Sequence, residues 1–160
     1  MAESRRFLPT FQKVLTPGRW RTAPLPDEAS LKLLDVSVVF TSTKATAAAL
    51  RTASMLADSL NARIKLVAPQ VVPHPLPLDS PPILLDFSES HLREIAKNSP
   101  VETTVQIYLC RDALNTLKTV LPPHSVVVIG GRRRWWRTRE QSLAASLHGA
   151  GHEVIFTETE

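Results

Sequence analysis

The chain has 160 residues, 43% of them hydrophobic, and a net charge of +4, which fits about one globular domain able to bury its own core. A single cysteine, Cys110, excludes an internal disulfide framework and a cysteine-rich zinc site. No stretch approaches the roughly 20 apolar residues that cross a bilayer, and residues 1–20 lack the apolar run of a secretory signal, so a cytoplasmic location is expected.

Residues 1–33 hold Pro9, Pro17, Pro24 and Pro26 and show no sustained period. They read as a poorly structured N-terminal arm ahead of a domain spanning 34–160. Val36–Phe40 is short, β-branched and apolar, as a buried strand should be. Ser42 or Thr43 then caps a helix whose Ala47, Leu50, Ala53, Leu56, Ala57 and Leu60 recur at helical spacing, with Asn61 as its stop. Arg63–Val67 alternates as a second strand. The proline-rich stretch from Pro69 to Pro82 is expected to be neither a central strand nor a helix interior. Ser88 is expected to cap a short helix carrying Leu92, Ile95 and Ala96, and Val101–Leu109 alternates as a third strand. Asp112 caps a further helix that Pro122-Pro123 closes. Val126–Ile129, apolar on both faces, reads as a central parallel strand. A last helix over Arg139–Leu147, stopped at Gly149 or Gly151, precedes a fifth strand at Glu153–Thr157.

Strands alternating with helices predict an α/β, Rossmann-like fold: a mainly parallel five-stranded sheet with helices on both faces. With strand order 3-2-1-4-5, the order reverses between the first and fourth strands, and ligands of such sheets sit at that reversal. The loops Thr41–Lys44 and Gly130–Arg134 would then face one crevice.

Three local features carry a family resemblance. A strand, an alanine-rich helix and a second strand run from Val36 to Val67; a long variable loop follows. Later, Val126-Val-Val-Ile-Gly130 leads into an arginine-containing loop and a helix with Ser142-Leu-Ala-Ala145. In these features the chain resembles the universal stress protein family over about Asp35–Thr157. The resemblance implies that fold, a role in stress response, and ATP or AMP as the cofactor to consider. The family's nucleotide-binding pattern is only partly kept. Phe40-Thr41-Ser42 stands where the first strand would end in aspartate. Gly130 matches the first glycine of the phosphate loop, Arg133 replaces the second, and Ser142 is a candidate for the later small residue. Cys110-Arg111 replaces the glycine that follows the third strand. These departures fit the branch of the family that binds no nucleotide, and no cofactor is assigned from them.

Taken residue by residue, Gly130 and Gly131 let the backbone turn sharply and approach a ligand, while Arg132 and Arg133 suit phosphate or carboxylate. Thr41, Ser42, Thr43 and Lys44 offer hydroxyls, amides and one cation at a helix start. Trp135-Trp136 suits stacking on a base, although one tryptophan packed on the body and one half-exposed is the expected arrangement. Arg111 beside Cys110 is one means of lowering a thiol pKa, but a partly buried lone cysteine at a strand end is the commoner case, and Cys110 is assigned no role. No catalytic group and no metal ligand set is identified.

The leading expectation is a non-catalytic domain that binds a small anion or nucleotide in a regulatory role. The alternatives are a homodimer formed through the edge strand Glu153–Thr157 and nucleic-acid binding through Arg132–Arg139 with its tryptophans, which ranks below a small ligand.

Overall fold

The computed structural model describes residues 11–15 by their backbone, and 34–77, 85–97, 99–101 and 103–159. The rest of the N-terminal arm and residues 78–84, which include the end of the proline-rich stretch, lie outside the described residues. The elements are β1 (Phe11–Leu15), β2 (Asp35–Val39), α1 (Thr43–Leu60), β3 (Arg63–Val71), α2 (Leu85–Lys97), β4 (Thr103–Cys110), α3 (Ala113–Val120), β5 (Val126–Gly131), α4 (Arg139–Gly149) and β6 (Glu153–Glu158).

The sheet order is β1-β4-β3-β2-β5-β6. The five strands β2 to β6 are mutually parallel, so they stand in the expected 3-2-1-4-5 order. Strand side chains alternate between two apolar layers, as a pleated sheet covered on both faces requires. Val36, Val38, Ile64, Leu66, Ile107 and Val128 meet Ala49, Leu50 and Ala53 of α1 and Leu92 and Ile95 of α2. Val39, Val67, Tyr108, Val127 and Ile129 meet Leu117 of α3 and Leu147 of α4. The alanine face of α1 lets that helix lie close to the sheet.

The helix signals act as their chemistry suggests. The Ser42 hydroxyl accepts from the Ala45 amide, and Asn61 closes α1 in the left-handed region at φ 51°. Asp112 caps α3 through the Asn115 amide.

Four expectations are corrected. Part of the arm forms β1, which pairs antiparallel with β4 from Phe11 opposite Leu109 to Leu15 opposite Val105. Its five residues lie in the proline-free interval between Pro9 and Pro17, too short to show a period by itself. Pro69 lies inside β3, a central strand, opposite Tyr108 of β4. The Val67 carbonyl accepts from the Phe40 amide, so the polar groups of Val67 and, two residues on, Pro69 face the β2 side. There β2 has already ended at Val39, and no ladder amide is needed from the proline.

Ser88 is interior to α2, which begins a turn earlier with Asp86 in its first turn, where a carboxylate complements the helix dipole. Val101 precedes β4 instead of opening it. Its carbonyl is taken by the hydroxyls of Ser99 (3.1 Å) and Thr103 (3.0 Å), not by a neighbouring strand.

Candidate functional site

The chain runs from β2 outward to β3 and β4, then crosses back to β5 and β6 on the other side of β2. The loops that leave the carboxyl ends of β2 and β5 therefore diverge and leave a crevice between them. Two contacts hold these loops together at its floor. The Thr41 hydroxyl donates to the Gly130 carbonyl at 2.9 Å. Gly130 itself lies against the first turn of α1, where a Cβ would stand 2.0 Å from the Ala45 carbonyl oxygen. Only glycine allows that approach. A Cβ on Gly131 would meet Glu140 Cβ at 2.7 Å. Both glycines thus have packing reasons for being there, independent of any ligand.

Above that floor opens a crevice of about 440 Å³ lined by Ser42, Lys44, Gly131, Arg132, Arg134, Trp136, Thr138 and Glu140, among others. Three cationic side chains and one carboxylate share it, so its potential is positive on balance. The Arg134 guanidinium lies 5.8 Å from the Trp136 ring centroid, within cation–π range.

The wall formed by residues 132–138 is held at its base. The Thr138 hydroxyl donates to the Arg132 carbonyl at 3.3 Å. Thr138 also starts α4 in a reciprocal capping box with Gln141.

The nine residues singled out from the sequence fall into three groups. Ser42, Lys44, Gly131 and Arg132 line the crevice. Thr41 and Gly130 join the two loops beneath it. Thr43, Arg133 and Ser142 are not among its lining residues. The Thr43 hydroxyl is 2.9 Å from His91 Nε2 on α2, Arg133 is exposed to solvent, and the Ser142 amide donates to the Thr138 carbonyl within the first turn of α4.

Thr138, Glu140 and Thr159 line the crevice without having been singled out. The capping box of Thr138 and Gln141 was a readable signal for the first of these. Thr159 arrives only through the pairing of β6 with β5, its amide donating to the Gly131 carbonyl at 2.9 Å.

One further expectation is overturned. Neither tryptophan packs on the body: Trp135 is 94% exposed and Trp136 57%, their centroids 5.7 Å apart. The loop that carries them is tied at its base by the Thr138–Arg132 hydrogen bond, and Trp135 stands away from the core clusters. At the end of β4 the Arg111 guanidinium donates to the Val72 carbonyl at 2.8 Å. Burial raises the Cys110 pKa, and the nearby Asp112 charge adds to the rise against a lowering hydrogen bond with Thr116. The thiol therefore stays protonated and slow to react at neutral pH.

Among the described residues no helix is long and apolar enough to cross a membrane. No protein-family model matches the chain, and no curated protein matches it. Among solved structures it is similar to a universal stress protein from Archaeoglobus fulgidus, with 15% identity and a TM-score of 0.48 over 79% of this chain and 98% of that one.

Proposed function

We propose that this domain is a non-catalytic, universal-stress-protein-like module that binds a small anionic ligand, a nucleotide or simple phosphate, in the crevice between β2 and β5. The observation that carries the reading is the convergence of Lys44, Arg132 and Arg134 on that one crevice. The amino end of α1 opens beside them, where the helix dipole favours negative charge. Glu140 sits in the first turn of α4 and tempers the attraction, which suits a weakly and reversibly held ligand.

Thermal unfolding with AMP, ATP and inorganic phosphate tests the proposal. A ligand at about 100 times its Kd should stabilise the protein by about 2.7 kcal/mol, an upward shift of roughly 5–10 °C for a chain of this size. The Lys44→Ala/Arg132→Ala variant should lose that shift. Arg133→Ala, which removes a side chain outside the crevice, should keep it. No shift with any of the three ligands would sink the reading.

A second reading draws on the sheet edges. β1 covers the outer side of β4, whereas β6 ends the sheet with no described strand beyond it. An open parallel edge is a surface for pairing with a second copy. The Glu153 and Thr159 amides are taken on the β5 side, so strand alternation turns the Val154 amide to the open edge. Light scattering of the wild type and of Val154→Pro separates a β6-paired dimer, which the proline would dissociate, from a monomer.

A further inference from the structure

The loop from Arg132 to Thr138 has two faces. Arg132, Arg134, Trp136 and Thr138 line the crevice, while the intervening Arg133, Trp135 and Arg137 do not. All three of the latter are exposed. The outward face therefore presents one indole between two guanidiniums, and this arrangement is not explained by folding. At 94% exposure Trp135 leaves its ring in water, forfeiting the burial that normally repays a large aromatic. Among the described residues, none of the arginines from 132 to 139 forms an ion pair. The loop is nonetheless held in place by the Thr138–Arg132 hydrogen bond at its base, so a partner meets a positioned surface.

We infer that this outward face binds single-stranded nucleic acid, with a base stacked on Trp135 and the flanking phosphates held by Arg133 and Arg137. Every base offers a π-face, so an exposed indole grips a strand without regard to sequence. Guanidinium forks match phosphate geometry, and Arg tolerates the stacked, partly desolvated setting better than Lys. Trp136 stands beside Trp135 with its plane tilted by 53°, so a neighbouring base can follow round the loop towards the crevice. A duplex keeps its bases stacked internally and offers this surface only phosphates. The chain as a whole is cationic, at +4, so its long-range field also draws in a polyanion. The inference does not depend on a ligand in the crevice, because Arg133, Trp135 and Arg137 lie outside it.

Fluorescence anisotropy with a labelled oligo-dT of about 16 nucleotides, a length that spans the usual site sizes, tests the inference on the full chain. The wild type should bind the single strand about ten-fold more tightly than the matching duplex, and Trp135→Ala should bind it about ten-fold more weakly than the wild type. Trp135→Phe should recover part of that loss. Arg133→Ala/Arg137→Ala should lower the slope of log affinity against log salt by about 1.4, the value for two phosphate contacts on a single strand.

Lys44→Ala/Arg132→Ala, which empties the crevice of two cations, should leave the Trp135 effect intact whatever it does to ATP. Wild-type affinity in Trp135→Ala would overturn the inference, as would equal affinity for duplex. Binding to anionic phosphatidylserine vesicles with no binding to oligo-dT would overturn it too, and would assign the face to a lipid surface instead.

Discussion

The end of β5 and the loop after it form one short connection, and the physics that governs Gly130 in the first and Trp135 in the second is opposite. Gly130 is buried against the first turn of α1, with no room for even a methyl group. Trp135 touches almost nothing and stands in solvent. The first half of the connection is dictated by how α1 and α4 close on the sheet. The second half is free of any such demand, so its composition of arginine and tryptophan points outward, to something that binds. A glycine at a crevice floor can therefore be a packing residue even where a ligand loop is expected, and the residues that report a partner are those the fold does not need.

Substitution can sharpen that contrast, and the largest effect is expected at Gly130. Gly130→Ala would place a methyl group 2.0 Å from a backbone oxygen that cannot move without displacing α1. Overpacking usually costs 1–3 kcal/mol and sometimes more, so a loss of about 3 kcal/mol or greater is expected in denaturant unfolding. A cost below about 1 kcal/mol would show that α1 can yield, and the contrast would weaken.

Gly131→Ala comes next, at about 2–3 kcal/mol, because the nearest atom it meets is Glu140 Cβ at 2.7 Å, which moves only with α4, while Glu140 Cγ and the Phe156 ring edge can turn aside. Smaller again is Ser42→Ala, which removes the α1 cap and should cost about 1 kcal/mol, or about 2–4 °C in Tm. Calorimetry of that variant also shows whether Ser42 serves the helix alone, since its anion-dependent shift should change if the hydroxyl contacts the ligand.

The smallest effect is expected at Trp135→Ala. An exposed side chain outside the core should change stability by no more than about 0.5 kcal/mol in either direction. A larger loss would mean that Trp135 packs in solution and would break the comparison at its other end.

Much of this molecule was legible from residue order. The alternation of apolar strands with helices, the caps at Ser42, Asn61 and Asp112, and the reversal that leaves a crevice between β2 and β5 all follow from local rules. Several of the crevice residues, Ser42, Lys44, Gly131 and Arg132, followed from that reversal alone. Other parts resisted for definite reasons. β1 is five residues long and becomes a strand only because the edge of β4 is there to receive it. Pro69 reads as a strand breaker, and nothing local says that β2 stops two residues short of needing its amide. The sorting of Arg132 to Trp136 into inward and outward side chains depends on where Thr138 anchors the loop.

The sequence by itself thus determined the α/β order, the helix boundaries set by side-chain caps, and the concentration of arginine and tryptophan after the fourth parallel strand. These depend on interactions within a few residues of each other. Only the tertiary structure decided that Gly130 packs against α1, that Cys110 is held unreactive by burial, and that both tryptophans are exposed. Each of these turns on distances between segments far apart in the chain, such as the 2.9 Å bond from Thr41 to Gly130, and no local pattern encodes such a distance.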